Sequence, residues 1–145
     1  MLLTLPNLAA TERFAARIAA VVRAGDAILL AGPLGAGKTA FARVFLRTAA
    51  GDPALDVPSP SFTLVQTYQT PLGRVHHFDL WRLTGPSALA ELGWDDARDD
   101  IVLVEWPDRL GALTPQDALR LDFELAEGDA RIVRAEGWSG RLADP

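Results

Sequence analysis

Gly32-Pro33-Leu34-Gly35-Ala36-Gly37-Lys38-Thr39 decides how this chain is read. It follows the continuous apolar run Ala27-Ile28-Leu29-Leu30-Ala31 and opens a segment, Lys38 to Ala50, that carries Phe41, Val44, Phe45 and Ala49 on one helical face. A buried strand, a glycine-rich turn and a helix in that order form the context in which backbone N–H groups can converge on phosphate. Gly32, Gly35 and Gly37 let those groups turn inward without interference from a Cβ, Lys38 supplies a point charge for the β- and γ-phosphates, and Thr39 supplies a hydroxyl for magnesium. The expected nucleotide contacts are therefore Gly32, Leu34, Gly35, Ala36, Gly37, Lys38, Thr39 and Ala40.

Working outward, Leu2 to Leu5 reads as a strand ended by Pro6 and Asn7. Thr11 then precedes Phe14, Ile18, Val21 and Val22 at helical spacing, with Gly25 as the stop. Phe62 to Tyr68 and Arg74 to Leu80 flank a Pro71-Leu72-Gly73 turn and predict a hairpin. Ser87 to Leu92 predicts a short helix, Trp94 to Asp100 an acidic loop, and Ile101 to Val104 another buried strand. Leu119 to Leu125 and Ala130 to Ala135 alternate around Glu127-Gly128-Asp129 as a final hairpin. The fold class expected is a three-layer α/β, P-loop type, with a mixed, mainly parallel central sheet and hairpins, residues 1–145 forming a single domain.

At 145 residues, 49% of them hydrophobic and 23% charged, the chain has the size and composition of one globular core. It contains no Cys, which excludes disulfides, thiolate metal sites and Cys nucleophiles. No leader and no membrane-spanning run is evident, so a cytoplasmic location is expected. The net charge is −5 and Lys38 is the only lysine, so direct binding to a nucleic-acid backbone is disfavoured.

A phosphate loop needs a carboxylate at the end of a neighbouring strand to hold magnesium or orient water. Glu105 directly follows the strand Ile101 to Val104, and Asp79 ends Val75-His76-His77-Phe78-Asp79. His77 shares a face with Asp79 by period two and is expected to partner it, whereas His76 points to the opposite face. Ser59-Pro60-Ser61-Phe62-Thr63 offers three hydroxyls that could sense a γ-phosphate, although composition alone favours an ordinary loop. Trp106, next to Glu105, reads either as core packing or as a reporter of the switch, with packing favoured by the sequence, and Asp95, Asp96, Asp99 and Asp100 are expected to be solvated because calcium-loop spacing is missing.

Together with the glycine loop, Ser-Pro-Ser-Phe-Thr-Leu-Val at 59–65, His-Phe-Asp-Leu-Trp-Arg-Leu at 77–83 and Val-Glu-Trp-Pro at 104–107 resemble the bacterial TsaE (YjeE) family in order and spacing over most of the chain. The resemblance implies a small ATPase needed to make threonylcarbamoyladenosine in tRNA. Its implied cofactors are ATP and Mg2+. Its implied partners are the threonylcarbamoyl transferase and a paralogous companion subunit (TsaD and TsaB type), with tRNA reached only indirectly through them. Carried over by position, Lys38 is the phosphate lysine, Thr39 and Glu105 are magnesium ligands, and Asp79 is the acidic residue of a His-x-Asp motif, as water-orienting group or as part of the outer metal shell. Ser61 stands where the family more usually has Thr, and Trp81 where it has Tyr. The base is expected between Thr11 and Arg131.

Two other readings share the loop. A small-molecule kinase would need an arginine-bearing lid, but the stretch after Leu83 is acidic, with only Arg98 before Arg109. A nucleotide-gated binding module would hold ATP without hydrolysing it. A GTP-specific switch is disfavoured because no Asn-Lys-x-Asp segment occurs.

Overall fold

A computed structural model describes residues 1–138 and 140–142. Seven strands form one sheet in the order β1-β7-β6-β2-β5-β4-β3, where β1 is Leu2–Leu5, β2 Ala27–Ala31, β3 Val65–Thr70, β4 Gly73–Asp79, β5 Ile101–Glu105, β6 Leu119–Leu125 and β7 Arg131–Glu136. The central strands β6, β2, β5 and β4 are parallel, and antiparallel partners close both sides, β3 on β4 and β7 with β1 on β6. The sheet is thus mixed with a parallel centre, and its β3–β4 and β6–β7 hairpins fall where turn residues and alternation predict them.

Every residue of β2 and β5 is buried, because helices and turns cover both faces of the parallel centre. On one face, α1 (Leu8–Ala19) and α2 (Lys38–Ala50) bury Phe14, Ile18, Phe41 and Phe45 against Ile28, Leu30, Ile101, Leu103 and Phe123. On the other, two 3-10 segments (Pro86–Leu92 and Pro107–Leu113) and α3 (Trp94–Ala97) bury Leu89, Trp94 and Leu110 against Leu29, Phe78, Val102 and Val104.

Three local expectations are corrected. α1 begins at Leu8, with Asn7 Oδ1 capping Ala10 N at 3.0 Å, and ends at Ala19 rather than running to Gly25. Trp94 to Asp100 is not simply an acidic loop: Trp94 and Ala97 are buried on one side of α3, and Trp94 meets Phe78 edge to face at 5.2 Å, while Asp95 and Asp96 face solvent at the helix N-terminus. β3 starts at Val65 rather than Phe62, because Leu64 takes φ +68° and breaks the extended path. Among the described residues, no helix is long and apolar enough to cross a membrane.

Candidate functional site

The parallel register sets Asp79 at the C-terminal end of β4 directly beside Glu105 at the end of β5. Both strands end next to the β2–α2 glycine loop, the sheet edge where open α/β folds bind ligands. Asp79, Glu105 and His77 share the sheet face with Val75, Ile101 and Leu103, and that face packs toward α2, whose first turn carries Lys38 and Thr39. Three separated segments thus deliver their side chains to one cleft of about 540 Å³, lined by Leu34, Gly35, Gly37, Lys38, Thr39, Ala40, Ser59, Ser61, Asp79, Trp81, Arg82, Glu105, Trp106 and Arg131.

The loop depends on its glycines for two reasons. Gly35 and Gly37 take φ +82° and +110°, conformations that side chains rarely adopt. Gly32 takes φ +133°, and a Cβ there would lie 2.4 Å from the Phe123 carbonyl oxygen, so β6 approaches this backbone too closely for any side chain. Ala36, within the same loop, is fully buried, whereas Leu34 projects outward at 80% exposure.

Lys38 is 4% exposed; its Nζ donates to the Gly32 carbonyl oxygen at 2.5 Å and sits 3.3 Å from the centroid of the Trp106 ring. Burial lowers its pKa from the ordinary lysine value, while the charges of Glu105, Asp79 and Asp108 act in the opposite direction. Thr39 Oγ1 donates to Glu105 Oε1 at 2.9 Å, and the His77 Nε2 is 2.7 Å from Glu105 Oε2. Asp79 accepts from Trp81 N through Oδ1 at 3.0 Å and from Ser61 Oγ through Oδ2 at 3.2 Å, and Ser59 Oγ lies 2.8 Å from Ser61 Oγ.

One expectation changes and another is extended. His77 does not partner Asp79, whose oxygens are occupied by Trp81 N and Ser61; its ring crosses to Glu105 on the neighbouring strand instead. Trp106 packs partly against the core cluster that holds Leu29, Val102 and Val104, as expected, but it also lines the cleft. At φ +59° and ψ +55° it turns the chain away from β5, leaving its ring beneath Lys38 and 4.5 Å from the Trp81 ring. Ser59 and Ser61 line the cleft, while Thr63 accepts from Gln66 instead.

A second cavity of about 240 Å³ adjoins the first through Gly37, Ala40 and Arg131 and is completed by Asn7, Leu8, Thr11, Phe123 and Asp129. Arg131 donates from Nη1 to the carbonyl oxygens of Gly128 and Ala130 at 3.3 and 2.8 Å, which lays its side chain beside Gly37. Thr11 and Arg131 therefore line the same pocket, which continues from the glycine loop. Asn7 and Asp129 were missed by the sequence reading. The capping preference of Asn7 was a usable signal, but Asp129 at a hairpin tip gave none.

The donor set Thr39 Oγ1 and Glu105 Oε1 is two oxygens in contact beside the glycine loop. That chemistry fits magnesium, a hard cation that takes one or two protein oxygens and fills its octahedron with phosphate oxygens and water.

The family model for Threonylcarbamoyl adenosine biosynthesis protein TsaE matches residues 5–133. A Rickettsia bellii protein named tRNA threonylcarbamoyladenosine biosynthesis protein TsaE is 35% identical, over 84% of this chain and 85% of its own length. A Bacillus subtilis protein of the same name is 32% identical, over 85% and 77%. The crystal structure of Bacillus subtilis YdiB superposes with a TM-score of 0.78 at 26% identity, covering 98% of this chain and 88% of that one.

Proposed function

The chain belongs to the TsaE family of threonylcarbamoyl adenosine biosynthesis proteins, and from that premise we propose that it is a magnesium-dependent ATPase serving the modification of tRNA as an accessory subunit of the threonylcarbamoyl transferase complex. The observation that carries this reading is the convergence of Lys38, Thr39, Asp79 and Glu105 in one cleft beneath a glycine loop. Such a cleft places fixed charges and dipoles where a triphosphate carries its negative charge.

In this reading the loop amides and Lys38 grip the β- and γ-phosphates, and Lys38 exchanges its bond to the Gly32 carbonyl oxygen for one to phosphate. Magnesium, when bound, neutralises charge developing on the phosphates. Thr39 and Glu105 offer it oxygens, and Asp79, anchored through Ser61 and Trp81 N, is placed to accept a hydrogen bond from an attacking water. Arg131 and Thr11 flank the base. The exposed Leu34 and Trp81 line the cleft, the exposed Phe62 lies against Arg82 of the same lining, and together they suit a protein partner that covers it, such as the transferase and its companion of TsaD and TsaB type. With a net charge of −5, contact with tRNA would come through those partners. In this reading the protein works where tRNA is modified, in the cytoplasm.

ATP hydrolysis by the purified protein, alone and with the transferase pair, tests the proposal. Low turnover that rises with the partners, requires magnesium and disappears in Lys38→Ala and Glu105→Ala is expected. Turnover indifferent to partners, or surviving Lys38→Ala, would refute it.

A further inference from the structure

Glu105 is held at both oxygens. Thr39 Oγ1 donates to Oε1 at 2.9 Å, while His77 Nε2 lies 2.7 Å from Oε2, with the His77 and Glu105 side chains only 1% and 2% exposed. A carboxylate only accepts, so the proton of this contact sits on His77 Nε2. The other ring nitrogen, Nδ1, is buried without a partner among the described residues. A proton there would be an unsatisfied buried donor, whereas the Nε2–H tautomer leaves only an unsatisfied lone pair. Among the described residues Glu105 is thus the single polar contact of the ring. The neighbouring His76 differs: it uses both nitrogens, to Thr67 Oγ1 at 3.0 Å and Asp100 Oδ2 at 2.9 Å, on the opposite face of β4. One histidine ties together strand and loop at the margin of the sheet, and the other reaches only a site carboxylate.

We propose that His77 is a positioning residue for the magnesium site: by holding Glu105 Oε2 it leaves Oε1, beside the Thr39 hydroxyl, as the one carboxylate oxygen offered to the cation or its water. The inference rests on the reading of Thr39 and Glu105 as magnesium-facing oxygens. Its physical basis is geometric. Glu105 is the last residue of β5 and its side chain has several rotatable bonds; without a second anchor Oε1 and Oε2 interchange and the carboxylate swings, whereas two anchors from α2 and β4 fix its plane. Removing an outer partner of a metal ligand commonly costs 10- to 100-fold in metal affinity.

The test is ATP binding by calorimetry on the whole chain, once with magnesium and once with EDTA, for the wild type and for His77→Leu, His77→Gln and His77→Asn. The Gln amide nitrogen can stand where Nε2 stands, whereas that of Asn ends near the Nδ1 position and leaves Oε2 without a donor. We expect magnesium to tighten wild-type binding, His77→Leu and His77→Asn to lose about 10- to 100-fold of that tightening with the EDTA arm changed by less than about twofold, and His77→Gln to recover most of it. Where thermal melts show His77→Leu to be unfolded, the Gln and Asn pair decides. Equal tightening in all variants, or equal losses in both arms, would overturn the inference by making His77 a packing residue. A wild type indifferent to magnesium would overturn the magnesium reading itself, and the inference with it.

Discussion

The two ends of the cleft are built differently. At the end we assign to the phosphates, Lys38, Asp79 and Glu105 are 4%, 4% and 2% exposed, and each is held by at least one hydrogen bond from another segment or from the loop itself. At the end we assign to the base, Asn7 and Asp129 are exposed and Thr11 and Arg131 half-buried, on a helix start and a hairpin tip. Charged groups already buried and held before the ligand arrives have little to reorganise beyond the exchange of the Lys38 bond from Gly32 to phosphate, and they act in a setting of lowered dielectric. Side chains at a solvated rim must be ordered on binding and gain less. The comparison teaches that affinity should reside in the triphosphate, with the base read lightly.

The largest effect expected is therefore at the buried end. Lys38→Ala should weaken ATP binding about 100-fold or more, because charge-assisted bonds to phosphate are worth about 1.5–3 kcal/mol each and Lys38 offers more than one. Equilibrium binding of a fluorescent ATP analogue measures it, and a loss under tenfold would break the comparison.

Next is the glycine that joins the two ends. Gly32 contacts β6, the first strand of the hairpin whose turn leads to Arg131, so Gly32→Ala should cost about 1–3 kcal/mol of folding stability through strained backbone and a displaced Phe123 carbonyl. Gly35→Ala, where a Cβ would meet nothing within 4 Å, should cost less despite its positive φ. Urea denaturation of both variants ranks them; equal costs would show that φ alone matters.

At the rim, Arg131→Ala should lower ATP affinity only about three- to tenfold, the loss of one partly exposed cationic platform, and Thr11→Ala less still. A 100-fold loss for either would invert the comparison and move the dominant contacts to the base.

The same contrast governs what was legible beforehand. Lys38 and Thr39 lie within eight consecutive residues whose spacing states their chemistry, and the buried runs Ala27–Ala31 and Ile101–Val104 announce strands that bring Glu105 to the loop. The bond from His77 to Glu105 depends on which strands are neighbours and in which register, a tertiary fact absent from any local pattern. Trp106 packs partly on the core as its residue type suggests, while its further place under Lys38 follows from one residue in the left-handed region, equally absent from any local pattern. Trp94 was lost inside an acidic run because a helix of four residues is too short to show a period. The base end was visible only by resemblance, as helix starts and hairpin tips carry turn chemistry that masks binding chemistry.

The smallest effect concerns the cost of preorganisation before any ligand binds. Burial holds the Lys38 ammonium below its ordinary pKa even with Glu105, Asp79 and Asp108 nearby, so the folded chain favours the charged form less than the unfolded chain does. The unfolded state then binds more protons between the folded pKa and the ordinary lysine value, and stability rises with pH across that window. Below it the charged lysine is a net burden on folding. Lys38→Met, which keeps the buried stem and removes the charge, should therefore raise the melting midpoint slightly at neutral pH while abolishing tight ATP binding, and the gain should shrink as pH climbs through the folded pKa. Differential scanning calorimetry at neutral and alkaline pH checks both signs. A lower midpoint for Lys38→Met would mean that Trp106 and the Gly32 carbonyl oxygen stabilise the ammonium by more than its burial costs, and that the phosphate end rests relaxed rather than poised.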